Sequence, residues 1–105
     1  MLYSVTISSP SSPRTDSLTV IDLKFGDPAN NDQLVPAAIE ALSSLQLPGG
    51  RGILFNGAAS LPIAMALAHG VAHLYQFVAC FDPKIGKYVV SISHTPGIRP
   101  GDLLV

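Results

Sequence analysis

From Gly52 to Phe81 the chain runs without a single Lys, Arg, Asp or Glu. Such a stretch has to be hidden, either in a bilayer or inside a fold. Its interruptions decide between the two. Asn56-Gly57 closes the short apolar run Gly52–Phe55, Pro62 follows a candidate N-cap at Ser60, and His69, Gly70, His73 and Gln76 break what remains. The segment therefore reads as a buried strand, a helix from Ser60 to about Leu74, and a second buried strand at Phe77–Phe81. A strand–helix–strand unit of this length joins parallel strands by a right-handed crossover, and it explains the run better than a membrane span.

The flanks complete a small layered domain. Met1–Ser8 alternates Leu2, Ser4 and Thr6 against Tyr3, Val5 and Ile7, and Leu18–Phe25 is rich in Val, Ile, Leu and Phe. Both suit strands, joined as a hairpin by the Ser- and Pro-rich stretch between them. Leu34, Val35, Ala38, Ile39, Leu42 and Leu45 have helical spacing, which predicts an amphipathic helix over 34–47. Pro36 falls in its first turn, the Asn30-Asn31-Asp32 cluster precedes it, and Pro48-Gly49-Gly50 ends it. Asp82–Gly86 is a turn into a last strand at Tyr88–Ile92, and the tail Pro96–Gly101 reads as loop. The expected fold class is α/β: a single small domain over 1–105 with a mixed β-sheet, a central βαβ unit and the order β-β-α-β-α-β-β.

Charge narrows the function. Apolar residues make up 48% of the 105 and charged ones only 12%, with a formal net charge of −1. This excludes a disordered tail and a basic module for long duplex nucleic acid. Apolar surface in such excess over charge suggests a second copy of the chain as its cover. Residues 1–50 balance at −3, whereas residues 51–105, with Arg51, Lys84, Lys87 and Arg99 against Asp82 and Asp102, balance at +2 and hold all three histidines. An anionic ligand is expected in that half. The lone Cys80 implies no disulfide and reads as a buried small hydrophobe. With no basic region and apolar stretch at the N-terminus, the expected location is cytoplasmic.

Four features could carry chemistry. The junction Asn56-Gly57-Ala58-Ala59-Ser60, between strand and helix, offers backbone N–H groups and a helix N-terminus to a phosphate; the plainer reading is a tight βα loop. His69 and His73, four apart on the expected helix, would share a face toward one metal or phosphate, although helix-end histidines more often pack or answer the dipole. Asp82 leaves a buried strand in Asp82-Pro83-Lys84, where α/β proteins gather site residues, or simply begins a turn. His94 ends the next strand, at a distance from Asp82 that the sequence leaves open.

The string Phe77-Val78-Ala79-Cys80-Phe81-Asp82-Pro83-Lys84-Ile85-Gly86, with Ala72-His73 before it and Val89-Val90, Ser93-His94 and Arg99-Pro100-Gly101-Asp102 after it, resembles the small CRISPR-associated ring nuclease of type III systems. The resemblance covers about residues 51–103; the N-terminal half matches in element order. It implies an αβ homodimer that binds cyclic tetraadenylate and linearises it in a Mn2+-stimulated reaction, silencing the messenger. The family has also been described as a manganese-dependent RNA 3′-end deadenylation exonuclease. Its catalytic histidine falls on His73, its aspartate on Asp82, its basic residue on Lys84 and its second histidine on His94. Asp82 and His94 would be the metal ligands; Asn56, Gly57, Ala58, Ser60 and His69 would meet the ligand.

Two departures stand out. The family often carries Arg after the third strand, where this chain has Asn56-Gly57-Ala58-Ala59-Ser60, and Lys84 replaces Arg and its bidentate fork. In some relatives the domain is fused to a following nucleotide-binding domain, so this chain would correspond to an isolated N-terminal domain. Because the helix runs antiparallel to its flanking strands, His73 is expected at the opposite end of the domain from Asp82. That predicts a composite site in a ligand-bridged tetramer of two dimers. A non-cleaving sensor of the messenger and a plain oligomerisation domain remain as alternatives.

Overall fold

The computed structural model describes residues 1–8 and 18–104. The hairpin turn expected between Ser8 and Ser17 lies, beyond Ser8, outside them. In chain order the elements are β1 (Tyr3–Ser8), β2 (Leu18–Phe25), α1 (Asn31–Ser43), β3 (Gly50–Gly57), α2 (Leu61–Val71), β4 (Tyr75–Asp82), β5 (Lys87–Ser93) and β6 (Leu103–Leu104). The six strands form one mixed sheet whose spatial order repeats the chain order. β2, β3 and β4 are mutually parallel, while β1, β5 and β6 run antiparallel to their neighbours. The α/β class and the element order are as expected. There are two βαβ units rather than one, and the two-residue β6 adds an edge that the loop-like tail did not announce.

Sequence period explains the layers. Ile21, Leu23, Ile53 and Phe55 alternate along β2 and β3 and face the helices, where they pack with Leu34, Ala38, Leu42, Ile63, Leu67 and Val71. Both crossovers leave the sheet on the same side, as two right-handed units in sequential order must, so the helices pack on each other and on one face only. The opposite face keeps a smaller core of Leu54, Phe77, Ala79 and Val90, covered by Leu18, Tyr88, Ile98 and Leu104. The chain from Ser93 curls back over it: Ser93 Oγ donates to the Ile98 carbonyl at 2.6 Å, and Val90 N–H donates to the Asp102 carbonyl at 2.9 Å.

The helix ends follow local chemistry. Ser60 caps α2 as expected, accepting the Ile63 N–H at 3.4 Å, with Pro62 in the first turn. α1 begins at Asn31 rather than Leu34, so Pro36 stands inside the helix, and Asn30 is its N-cap without a side-chain bond. α2 stops at Val71, three residues before the expected end. No described helix is long and apolar enough to cross a membrane.

Candidate functional site

Parallel strands deliver their C-terminal ends, and the N-termini of the helices that follow, to one edge of the domain. Here that edge carries the Asn56–Ser60 loop, the start of α2 and the Asp82–Gly86 turn. The loop is held from three directions. The Tyr3 hydroxyl donates to the Ala58 carbonyl, Ala58 N–H donates to the Leu23 carbonyl at 3.2 Å, and Ser60 Oγ donates to Asn31 Oδ1 at 2.7 Å. Tyr3 is 2% exposed, and burial pushes its hydroxyl up to about 12, so it stays a donor at any ordinary pH. Gly57 adopts φ 119°, closed to other residues, which lets the chain turn sharply out of β3. Gly57, Ala58 and Ala59 are exposed and Asn56 and Ser60 half-buried, so the loop faces solvent from a fixed frame.

Asp82 ends β4 half-buried, with Oδ1 accepting the Lys84 N–H at 2.9 Å; the same carboxylate therefore both shapes the turn and leaves its second oxygen free. Lys84 is exposed at the tip.

The histidines lie at the other edge. β5 runs back along β4, pairing Asp82 with Lys87 and Phe77 with Ser93, so His94 arrives at the start of β4. Its backbone N–H donates to the Gln76 carbonyl at 2.7 Å, and its Nε2 lies 3.0 Å from the Ala72 carbonyl. A carbonyl only accepts, so Nε2 carries a proton and donates to it. His73 follows Ala72 directly and is exposed in the turn into β4. The six steps from Gln76 to Asp82 separate the two groups by about 20 Å at strand rise.

These positions correct three expectations. Asp82 and His94 cannot share a metal within one chain, because the antiparallel hairpin sends them to opposite ends. His69 and His73 do not share a helix face, because α2 ends between them. His69 instead lines a cavity of about 360 Å³ between α1 and α2, with Ile39, Leu42 and Gly70. Cys80 is exposed rather than buried; α2 does not reach across its strand, and the thiol lines an apolar cavity of about 350 Å³ with Met65, Phe55 and Ser91. Among the described residues no group of three or more His, Cys, Asp or Glu could hold a metal ion. The expected separation of His73 from Asp82 is present.

Sequence reasoning missed a polar group on the helix-free face. Asp22 accepts from Ser8 Oγ, and its Oδ1 accepts from Asn56 Nδ2 at 3.4 Å. An acid inside the otherwise apolar Val20–Leu23 was the available signal.

Fold and site together define a two-layer α/β domain with a loop edge that carries Asn56–Ser60, Asp82 and Lys84, and an opposite histidine edge. Residues 29–105 match the family model for CRISPR-associated protein (Cas_csx3), and at that coverage the chain belongs to this CRISPR-associated family. No curated protein matches it.

Proposed function

We propose that this protein is a ring nuclease of type III CRISPR defence, which binds cyclic tetraadenylate and linearises it by metal-stimulated phosphodiester cleavage. Membership of a CRISPR-associated family supports the setting. The observation that carries the reading is the placement of His73 and His94 at one end of β4 and of Asp82 and Lys84 at the other. A small ring of phosphates held between two homodimers would meet the histidines of one dimer and the Asn56–Ser60 loop, Asp82 and Lys84 of the next. Four phosphates need few cations, which suits a chain with so little charge.

In the proposed reaction a ribose 2′-oxygen attacks the adjacent phosphorus. His73 takes the hydroxyl proton and returns it to the departing 5′-oxygen, leaving a 2′,3′-cyclic phosphate and a 5′-hydroxyl. Lys84 and the loop N–H groups stabilise the charge that develops on the phosphoryl oxygens. The residues of one chain do not fit a Mn2+ ion, since Asp82 and His94 stand apart. The manganese in this proposal therefore belongs to an assembly of chains.

A second reading, a sensor that binds the messenger without cutting it, is favoured by a βα loop that contributes no cation. Incubation with cyclic tetraadenylate, with and without Mn2+, followed by product separation, distinguishes the two. A deadenylating exonuclease would instead shorten an A-tailed RNA and leave the ring intact. For the composite site, His73→Ala and Asp82→Ala are each expected to be inactive, and their mixture to regain a measurable fraction of the rate. Full activity of either variant would refute the assignment, and a mixture as inactive as its parts would refute sharing between chains.

A further inference from the structure

One row of residues crosses the helix-free face of the sheet at the level of Asp22. Register pairs Asp22 with Asn56, Phe55 with Cys80 and Phe81 with Tyr88, so Asn56 and Phe81 are neighbours and the row reads Asp22, Asn56, Phe81, Tyr88 across β2 to β5. All four are half-buried, and both helices lie on the opposite face. Phe81 and Tyr88 meet edge to face with ring centroids 5.2 Å apart. Tyr88 packs on the small core of this face, and its hydroxyl is raised by burial first and by the Asp22 charge second, which places phenol and carboxylate on the same side. The ionised carboxylate only accepts, so it fixes the Asn56 amide with its NH2 toward Asp22. The second Nδ2 hydrogen and Oδ1 are left to a ligand.

We propose that this row is a nucleobase shelf that takes adenine from an unpaired oligoribonucleotide. The aromatic pair supplies the stacking surface, as open sheet faces do when they bind single strands. The oriented amide supplies one donor and one acceptor, the pair that adenine answers with N7 and its N6 amino group; guanine offers two acceptors at that edge. The shelf deepens the nuclease reading, because it adjoins the Asn56–Ser60 loop and would seat a base while the loop meets its phosphate.

The test uses two linear probes, a four-residue oligoadenylate and its 7-deazaadenine counterpart, which differ in N7 alone. Binding is read by titration to a Kd, with circular dichroism confirming that each variant is folded. Oligoadenylate is expected to bind about 5-fold tighter than the deaza probe, the value of one hydrogen bond. Asn56→Ala is expected to weaken the deaza probe by about 5-fold, through loss of the bond from the N6 amino group, and oligoadenylate by more, through loss of both bonds, so that the two probes then bind alike. Phe81→Leu, which keeps apolar bulk, is expected to weaken both by about 5-fold or more through lost stacking. Equal affinity for the two probes, or an N7 preference that survives Asn56→Ala, overturns the shelf. Cleavage of cyclic tetraadenylate is scored separately. Cleavage unchanged in Asn56→Ala and Phe81→Leu, with unchanged Kd values, defeats the shelf alone. N7- and Asn56-dependent binding without ring cleavage defeats the nuclease reading alone.

Discussion

Gly52 sits directly beneath the ring of Phe77, its parallel partner on β4, and substituting it tests how tightly the second core is packed. A Cβ built at Gly52 would fall 2.6 and 2.7 Å from Phe77 Cε2 and Cε1, about 1 Å inside ordinary carbon contact. The ring cannot retreat: it is 1% exposed, packed among Leu54, Ala79 and Val90, with the Arg51 guanidinium 5.9 Å above its centroid. Overpacking costs about 1–3 kcal/mol, and a pinned ring puts Gly52→Ala near 3. At roughly 4 °C per kcal/mol for a domain of this size, the melting temperature falls by about 12 °C. Phe77→Leu alone loses volume and costs about 1–2 kcal/mol. In the double variant the shorter Leu leaves room for the new methyl, so its cost should be less than the sum of the singles by about 1–2 kcal/mol. Urea denaturation followed by far-UV circular dichroism measures all three. Additivity within about 0.5 kcal/mol would show that the two sites do not touch and would refute the packing described.

Tyr3→Phe removes the bond to the Ala58 carbonyl and should lower stability by about 1 kcal/mol at neutral pH. The Tyr3 hydroxyl titrates near 10 when unfolded and at about 12 when folded, so its contribution is present below pH 10 and is lost as pH rises from 10 to 12. The stability gap between wild type and Tyr3→Phe should therefore shrink across that window in urea titrations, and a constant gap would argue against the buried hydroxyl. Burial pushes the Cys80 thiol up, with the Ser91 hydrogen bond pulling back, so the exposed thiol should react several-fold more slowly than free cysteine with a disulfide reagent at pH 8. A rate equal to that of free cysteine would show that the groove beside α2 is open to water.

Hydrophobic period made the layers legible. The apolar run Leu18–Phe25 marked a strand, the uncharged stretch from Gly52 marked the parallel pair β3 and β4, and Ser60 with Pro62 marked the start of α2; that β2 is parallel to β3 was not legible. What stayed hidden depended on register and on contacts distant in the chain. His94 and Asp82 are both at strand ends, and only the antiparallel pairing of β5 with β4 assigns them to opposite edges. Cys80 lies in an apolar string, yet the width of the helix layer, which no local pattern encodes, leaves it uncovered. β6 is two residues held by Tyr88 and Val89, too short for any periodicity to declare. Tyr3, fifty-five positions from Ala58, could not be linked to the loop without the fold.

Because each strand pairs with the one just before it in sequence, the sheet can assemble like a zipper. No strand has to wait for a distant segment, and each loop closed along the way is the length of one turn or one helix. Closure entropy grows only slowly with length, so pairing Leu18 with Gly52 or Ile53 with Val78 costs little more than closing a hairpin. A chain emerging from the ribosome could bury its uncharged middle against β2 as soon as β3 appears. The segment most prone to stick to other chains is thus sheltered early in its own synthesis.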